Sequence, residues 1–230
     1  MYNESSIIWD SVWKEDKYSS KNLRKHKAKI KTDVLLKHIS PQSNWKIVDL
    51  GCGGGYVTEE IYSRIKCSII GVDFSGEAIK LCENRLGHLP IKFIKSNVCN
   101  TNIQNEYADL VICCGIIEHI KEPEKLFNEI YRILKPNGYI FVTTSNLVST
   151  IWPQRLIKQW LRRWSYGYQK NWTKNGISKL LENQNFNVLH TEMITDSGDY
   201  KLLGFFDRMI LMVYKYAGRY IVLWGRKRNV

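Results

Sequence analysis

Lys46-Ile47-Val48-Asp49-Leu50-Gly51-Cys52-Gly53-Gly54-Gly55-Tyr56-Val57-Thr58 decides how this chain is read. Ile47, Val48 and Leu50 make a short apolar run that predicts a buried strand, and the run breaks into a loop in which four of five residues are glycine. Val57, Ile61 and Ile65 then recur every fourth residue, the stripe of a helix. Strand, glycine loop and helix in this order let backbone approach a ligand closely, because glycine lacks a side chain and tolerates positive φ. The dinucleotide pattern G-x-G-x-x-G is not met, since its third glycine falls on Tyr56. What the residues do spell is D-x-G-x-G-x-G, on Asp49, Gly51, Gly53 and Gly55.

Working outward, residues 68–73 predict a second buried strand that ends in Asp73. An acid there is placed to accept both hydroxyls of a ribose; alternatively Asp73 or Ser75 caps the helix expected over 77–86. Residues 91–98 predict a third strand, residues 109–114 a fourth that runs into Gly115-Ile116-Ile117-Glu118-His119, and residues 139–144 a fifth. Pro123 opens a helix with Leu126, Phe127, Ile130 and Ile133 on its apolar face, and residues 132–138 predict a helix end and a turn.

The glycine motif resembles motif I of the class I S-adenosylmethionine-dependent methyltransferases. The Glu-His-Ile and Leu-Lys-Pro-x-Gly segments are similar to the members that modify small molecules, including those of ubiquinone biosynthesis. With Asp73 the resemblance covers residues 46 to about 146. It implies an α/β fold: a seven-strand, mostly parallel sheet with helices on both faces and the last strand antiparallel. It implies S-adenosylmethionine as cofactor, held by Asp49, Gly51, Gly53, Gly55, Asp73 and Phe74, and further by Asn97, Val98 and Cys114. Family members usually have Asp where this chain has Asn97, whose carbonyl still accepts a hydrogen bond. Asp49 is expected near the methionine end of the cofactor. His119 is the one candidate general base at a strand's carboxyl end; the plainer reading is that Glu118 and His119 cap the next helix and orient the loop. No third residue joins them as a metal ligand, so no metal is expected.

A single domain is expected, with residues 1–45 as a helical cover, 46–146 as the cofactor-binding core and 147–230 as lid and last strands. Ile8, Trp9, Trp13 and Tyr18 open the cover, and a Lys-rich helix follows with Leu23, Ile30, Val34, Leu35 and Ile39 on its apolar face. Beyond residue 146 a helix is expected over 172–186, strands over 187–194 and 220–227, and an apolar helical insert over 205–218. The six cysteines, Cys52, Cys67, Cys82, Cys99, Cys113 and Cys114, form no C-x-x-C pair and read as reduced thiols in a cytoplasmic protein. The first residues have no charged-then-apolar signal pattern. The longest apolar run, residues 209–214, is too short to span a bilayer.

The formal charge of +12 is uneven. Residues 1–45 carry nine Lys/Arg against five Asp/Glu, residues 46–150 eleven against twelve, and residues 151–230 fourteen against five. The core is neutral and its flanks are basic, which suits an anionic partner or simply a solvated lysine-rich surface. In residues 151–164, Trp152, Leu156, Trp160 and Trp164 share one helical face while Arg155, Lys158, Arg162 and Arg163 fill the rest. Such a helix either lies on an anionic membrane or packs as a lid. The expected activity is methyl transfer to O or N of a small-molecule or lipid-linked acceptor. A nucleic-acid methyltransferase is the alternative, resting on charge alone because no Asn-Pro-Pro-Tyr, Asp-Pro-Pro-Tyr or Pro-Cys motif is present. A non-catalytic cofactor-binding module is a second alternative.

Overall fold

The computed structural model describes residues 2–14, 20–149, 152–161, 164–195 and 218–229. Seven strands form one sheet: β1 (Lys46–Leu50), β2 (Ser68–Asp73), β3 (Ile91–Lys95), β4 (Ala108–Cys114), β5 (Leu134–Ser145), β6 (Phe186–Ile194) and β7 (Tyr220–Lys227). Their order is β3-β2-β1-β4-β5-β7-β6. The first five pair in parallel, and β7 runs antiparallel to both β5 and β6. That is the expected α/β sheet.

Helices α1 (Tyr2–Lys14), α2 (Lys21–His38), α3 (Tyr56–Ile65), α4 (Gly76–Leu86), α5 (Pro123–Ile133), α6 (Trp152–Trp160) and α7 (Lys174–Asn183) accompany the sheet, with a 3₁₀ turn at Ile117–His119. Successive strand residues point to opposite faces, so each apolar run feeds two cores. Val48, Leu50, Val72, Val111 and Val142 pack with Phe127 and Ile130 of α5 and Ile177 and Leu181 of α7. Ile47, Ile69, Leu110 and Ile112 pack with Leu35 of α2 and Ile61 of α3. Burial of one such aliphatic or Phe side chain contributes about 1.5–3 kcal/mol.

The structure departs from the sequence reading in several places. The N-terminal cover is two helices; on α2, Leu23, Ala28, Thr32 and Leu35 are buried while Ile30 and Val34 are only half-buried. Residues 134–138 are not a free turn but the start of β5. Leu134 pairs with Ala108, then Asn137 at φ 60° makes an irregularity before Tyr139 pairs with Leu110. Pro136 cannot continue a helix, and the Lys135 ammonium, 2.6 Å from Asp109, ties the irregular stretch to β4. Helix α6 stops at Trp160, so Trp164 lies beyond it. Tyr18, Arg162, Arg163, the side chain of Trp152 and the 205–218 insert except Gly218 lie outside the described residues. Among those described, no helix is long and apolar enough to cross a membrane, and all six cysteines are free.

Candidate active site

Parallel strands place their carboxyl ends along one edge, where open α/β sheets bind ligands. The glycine loop sits at that edge, with the amides of Gly51 and Cys52 bonded to the Val72 carbonyl at 2.8 and 3.0 Å. Gly51, Gly53 and Gly55 all have positive φ, 71°, 51° and 74°. At position 51 a Cβ would lie 2.0 Å from Ile116 Cγ2, and at 53 it would lie 2.5 Å from the Trp13 ring. No other residue fits either place without moving its neighbour.

Two carboxylates flank this loop. Asp49 is buried; its Oδ2 accepts from the Thr58 hydroxyl at 2.6 Å, while its Oδ1 is buried with no hydrogen-bond partner. Asp73 is buried too, and accepts the Gly53 amide on Oδ2 and the Ser75 amide on Oδ1, each at 2.9 Å. Burial pushes both carboxyls up to about 6, the hydrogen bonds to Thr58 and to the backbone amides opposing it. The Asn97 carbonyl already accepts the Cys99 amide at 2.9 Å.

Asp49, Gly51, Gly53, Asp73 and Phe74 line one cleft of about 540 Å³. Asn97, Val98, Cys114 and His119 line it as well. Gly55 does not; it is the left-handed cap where the loop enters α3.

His119 sits in the 3₁₀ turn after β4, with Nδ1 2.9 Å from the Tyr168 carbonyl. A carbonyl only accepts, so Nδ1 carries a proton, and in the neutral ring the lone pair is on Nε2. Trp9 of α1 meets the imidazole edge-on at 5.0 Å, and Tyr166 lies 6.0 Å from Trp9. The capping reading for Glu118 and His119 does not hold. The N-cap of α5 is Glu122, without a side-chain cap bond. Glu118 instead turns inward and accepts from Thr144 and Ser145 at 3.0 and 2.9 Å, tying the turn to the end of β5.

The family model that matches this chain, described as a methyltransferase domain, covers residues 48–142. Those residues run from within β1 through most of β5 and include every expected cofactor residue. They form a class I S-adenosylmethionine-dependent methyltransferase domain. The ubiquinone biosynthesis O-methyltransferase of Rattus norvegicus mitochondria is 36% identical over 112 residues, 46% of this chain and 32% of that protein. The chain thus matches about a third of that relative's length. A S-adenosylmethionine-dependent methyltransferase of Thermotoga maritima superposes with a TM-score of 0.70 at 16% identity, over 97% of this chain and all of the other. Phosphoethanolamine N-methyltransferase 2 of Haemonchus contortus, solved with S-adenosyl-L-methionine, gives 0.66 at 17% identity over 87% and 53% of the two chains. At these identities the superpositions establish the fold.

Other residues of the methyltransferase cleft were not singled out from the sequence. Arg24, Lys27 and Lys31 line it from α2; their i, i+3, i+7 spacing is legible as one helical face. Tyr166 and Tyr168 arrive from a loop with no periodic signal. No group of three or more His, Cys, Asp or Glu placed to hold a metal ion occurs among the described residues. Of the basic residues in the tryptophan segment, Lys158 is exposed and Arg155 is not. Arg155 is buried, bonded to Asn171 and 5.8 Å over the Trp164 ring, and burial lowers its pKa.

Proposed function

We propose that this chain transfers a methyl group from S-adenosylmethionine to a hydroxyl oxygen of a small, lipid-linked acceptor presented at an anionic membrane surface. The observation that carries the choice of oxygen is His119. Its proton is fixed on Nδ1 by the Tyr168 carbonyl, which leaves the Nε2 lone pair as a base in the same cleft as Asp49 and Asp73. A hydroxyl acceptor must lose a proton, and an imidazole so oriented takes it. The similarity to ubiquinone biosynthesis O-methyltransferases supports the same choice.

The residues fit the cofactor. The partnerless Oδ1 of Asp49 suits the methionine ammonium, directly or through the loop amides. Asp73 takes backbone hydrogen bonds from Gly53, Ser75 and Phe74, and a carboxylate's two oxygens have room for a further donor, the ribose hydroxyl. Phe74, Val98 and Cys114 line the same cleft and are apolar groups available to adenine, and Asn97 is a polar one. When bound, the cofactor supplies a methyl on a sulfonium, a good leaving group. Rate then comes from holding the acceptor oxygen in line and from excluding water, the task of Trp9, Ile8 and Ile116 around the cleft. His119 receives the acceptor proton on Nε2, and its Nδ1–H bond to Tyr168 strengthens as the ring becomes charged.

Radiolabelled methyl transfer to a prenylated catechol tests this reading. His119→Gln is expected to lower turnover by about 10²–10⁴-fold with cofactor affinity unchanged. Methylation of amine acceptors with none on hydroxyls would refute the oxygen assignment.

A further inference from the structure

The Tyr168 carbonyl decides which nitrogen of His119 carries the proton, yet Tyr168 lies between α6 and α7 in no helix or strand. A loop keeps a carbonyl in place only as well as the loop itself is held. The stretch after Tyr168 is held by three bonds to elements already in the sheet or beside it. The Lys170 amide donates to the Glu118 carbonyl at 2.7 Å, and the Trp172 amide donates to the Ser145 carbonyl at 3.1 Å. The side-chain amide of Gln169 donates to Ser145 Oγ, also at 3.1 Å.

Glu118 acts on this loop twice. Its backbone carbonyl takes the Lys170 amide, and its carboxylate accepts the Thr144 hydroxyl on Oε2 at 3.0 Å and the Ser145 hydroxyl on Oε1 at 2.9 Å. A hydroxyl has one proton to give. Ser145 gives it to Glu118, so the side it turns to Gln169 is a lone pair, and Gln169 meets it with its NH2. An ionised carboxylate only accepts, so it imposes that polarity on both hydroxyls; an amide at 118 accepts from one and donates to the other. Holding a carboxylate at 4% exposure costs solvation. Arg155 of α6, buried as well, feels the Glu118 charge and bonds Asn171 of the same loop. Because Glu118 and His119 are adjacent in one 3₁₀ turn, a loop tied to Glu118 is fixed relative to the imidazole.

We infer that Glu118 is a positioning residue for His119. Through the Ser145 hydroxyl and its own carbonyl it holds residues 168–170 against the 3₁₀ turn, and so keeps the His119 proton on Nδ1. Glu118 does not line the cleft; it acts through Tyr168. Its effect on turnover rests on the hydroxyl-methylating reading of the cleft, whereas its effect on the imidazole does not.

Imidazole nitrogen-15 resonances, which separate a protonated ring nitrogen from one bearing a lone pair, test this on the full chain saturated with S-adenosylhomocysteine. They are read at about pH 8.5, where an ordinary imidazole is neutral. His119 is identified among the five histidines by the signals missing from His119→Gln. Wild type is expected to be protonated on Nδ1. Glu118→Gln keeps the shape and makes one hydroxyl reverse. Gln169→Leu breaks the relay at the loop and spares the buried carboxylate, so it stays informative where Glu118→Gln does not fold. In each variant part of the proton is expected to move to Nε2. The kcat toward a hydroxyl acceptor is expected to fall by about two- to tenfold, the range of one hydrogen bond, with acceptor KM and S-adenosylhomocysteine affinity within about twofold. The double variant is expected to fall no further than the more damaging single one, because both act through one relay. An Nδ1 proton that stays in place in both variants overturns the inference, and Glu118 then only braces the end of β5. A wild-type imidazole protonated on Nε2 overturns it as well. A proton that moves in the variants, with wild type inactive on every hydroxyl acceptor, supports the positioning role and overturns the oxygen reading instead.

Discussion

Asp73 does two jobs with one carboxylate. It accepts the amides of Gly53 and Ser75, so it holds the glycine loop to the end of β2 before any ribose arrives. Removing it therefore costs more than the cofactor bonds, since a buried amide left unsatisfied costs about 1–3 kcal/mol. Asp73→Asn keeps one oxygen and offers donors where acceptors are needed; cofactor affinity in calorimetry is expected to fall by about tenfold or more, with a lowered melting temperature. An unchanged affinity would mean that ribose is bound elsewhere. The pH dependence follows from the same burial. Asp49 and Asp73 hold their protons up to about 6 against an ordinary 3.8. Between these values the folded chain keeps protons that the unfolded chain has released, so the stability these two groups contribute is full below about pH 4 and lost as pH rises through about 6. An ammonium at Asp49 and hydroxyls at Asp73 favour the ionised forms. Cofactor affinity is thus expected to rise through pH 6, with proton release at pH 6 that vanishes by about pH 8, read as a buffer-dependent binding enthalpy. These residues were legible because the spacing from Asp49 through the glycines to Asp73 is local in sequence. Tyr168 was not: its carbonyl meets His119 across 49 residues, and nothing in the intervening sequence encodes that meeting.

At the scale of elements, α1 is the part whose role the residues define most sharply. Its Asp10 accepts from the Ser75 hydroxyl at 2.6 Å and from the Glu77 amide at 3.3 Å, adding a second cap to α4 beside Ser75 itself, which accepts the Ala78 amide. Its Trp13 lies on Gly53, and its Trp9 lies on His119. One helix thereby touches the loop, the end of β2 and the turn that carries the base. Asp10→Ala leaves α4 capped by Ser75 but frees α1 from it. The cofactor off-rate in stopped-flow is expected to rise by about tenfold, the equivalent of one charge-assisted hydrogen bond of about 1.5 kcal/mol. An unaltered off-rate would mean that α1 covers the cleft without closing it. The sequence showed that tryptophans open the chain but not that they form a helix of their own. Their partners Gly53, Ser75 and His119 lie on three separate elements. The strands were legible because apolar runs of five to seven residues in a parallel sheet have no other stable use. The β5 start at Leu134 was hidden because Lys-Pro-Asn-Gly has turn chemistry, and only pairing with Ala108 makes it part of the sheet.

Among the described residues, exposed apolar side chains gather on and beside α6, where the most basic part of the sequence begins. Residues 151–230 carry fourteen Lys/Arg against five Asp/Glu. On α6 and its flanks Trp160 is 83% exposed, Ile157 57% and Leu161 44%, and Leu147 and Val148 are exposed on the approach from β5. Leu156 with Trp160, and Ile157 with Leu161, are each one turn apart, so α6 presents a stripe wider than a soluble surface needs. A lid packed on the cleft would bury Trp160, and it is not buried. Lipid would: each aliphatic side chain inserted contributes about 1.5–3 kcal/mol, and each nearby basic residue about 1 kcal/mol on an anionic surface. Those magnitudes suffice for reversible binding and not for permanent anchoring. The wild-type protein is therefore expected to sediment with phosphatidylglycerol-containing vesicles at low salt and to be released as salt is raised. Trp160→Ser with Lys158→Glu is expected to abolish sedimentation while leaving cofactor affinity intact, because neither residue lines the cleft. A wild type that stays in the supernatant at low salt would sink the membrane reading. The stripe would then have to meet a protein, and wild type would be expected to self-associate in light scattering where the same double variant does not.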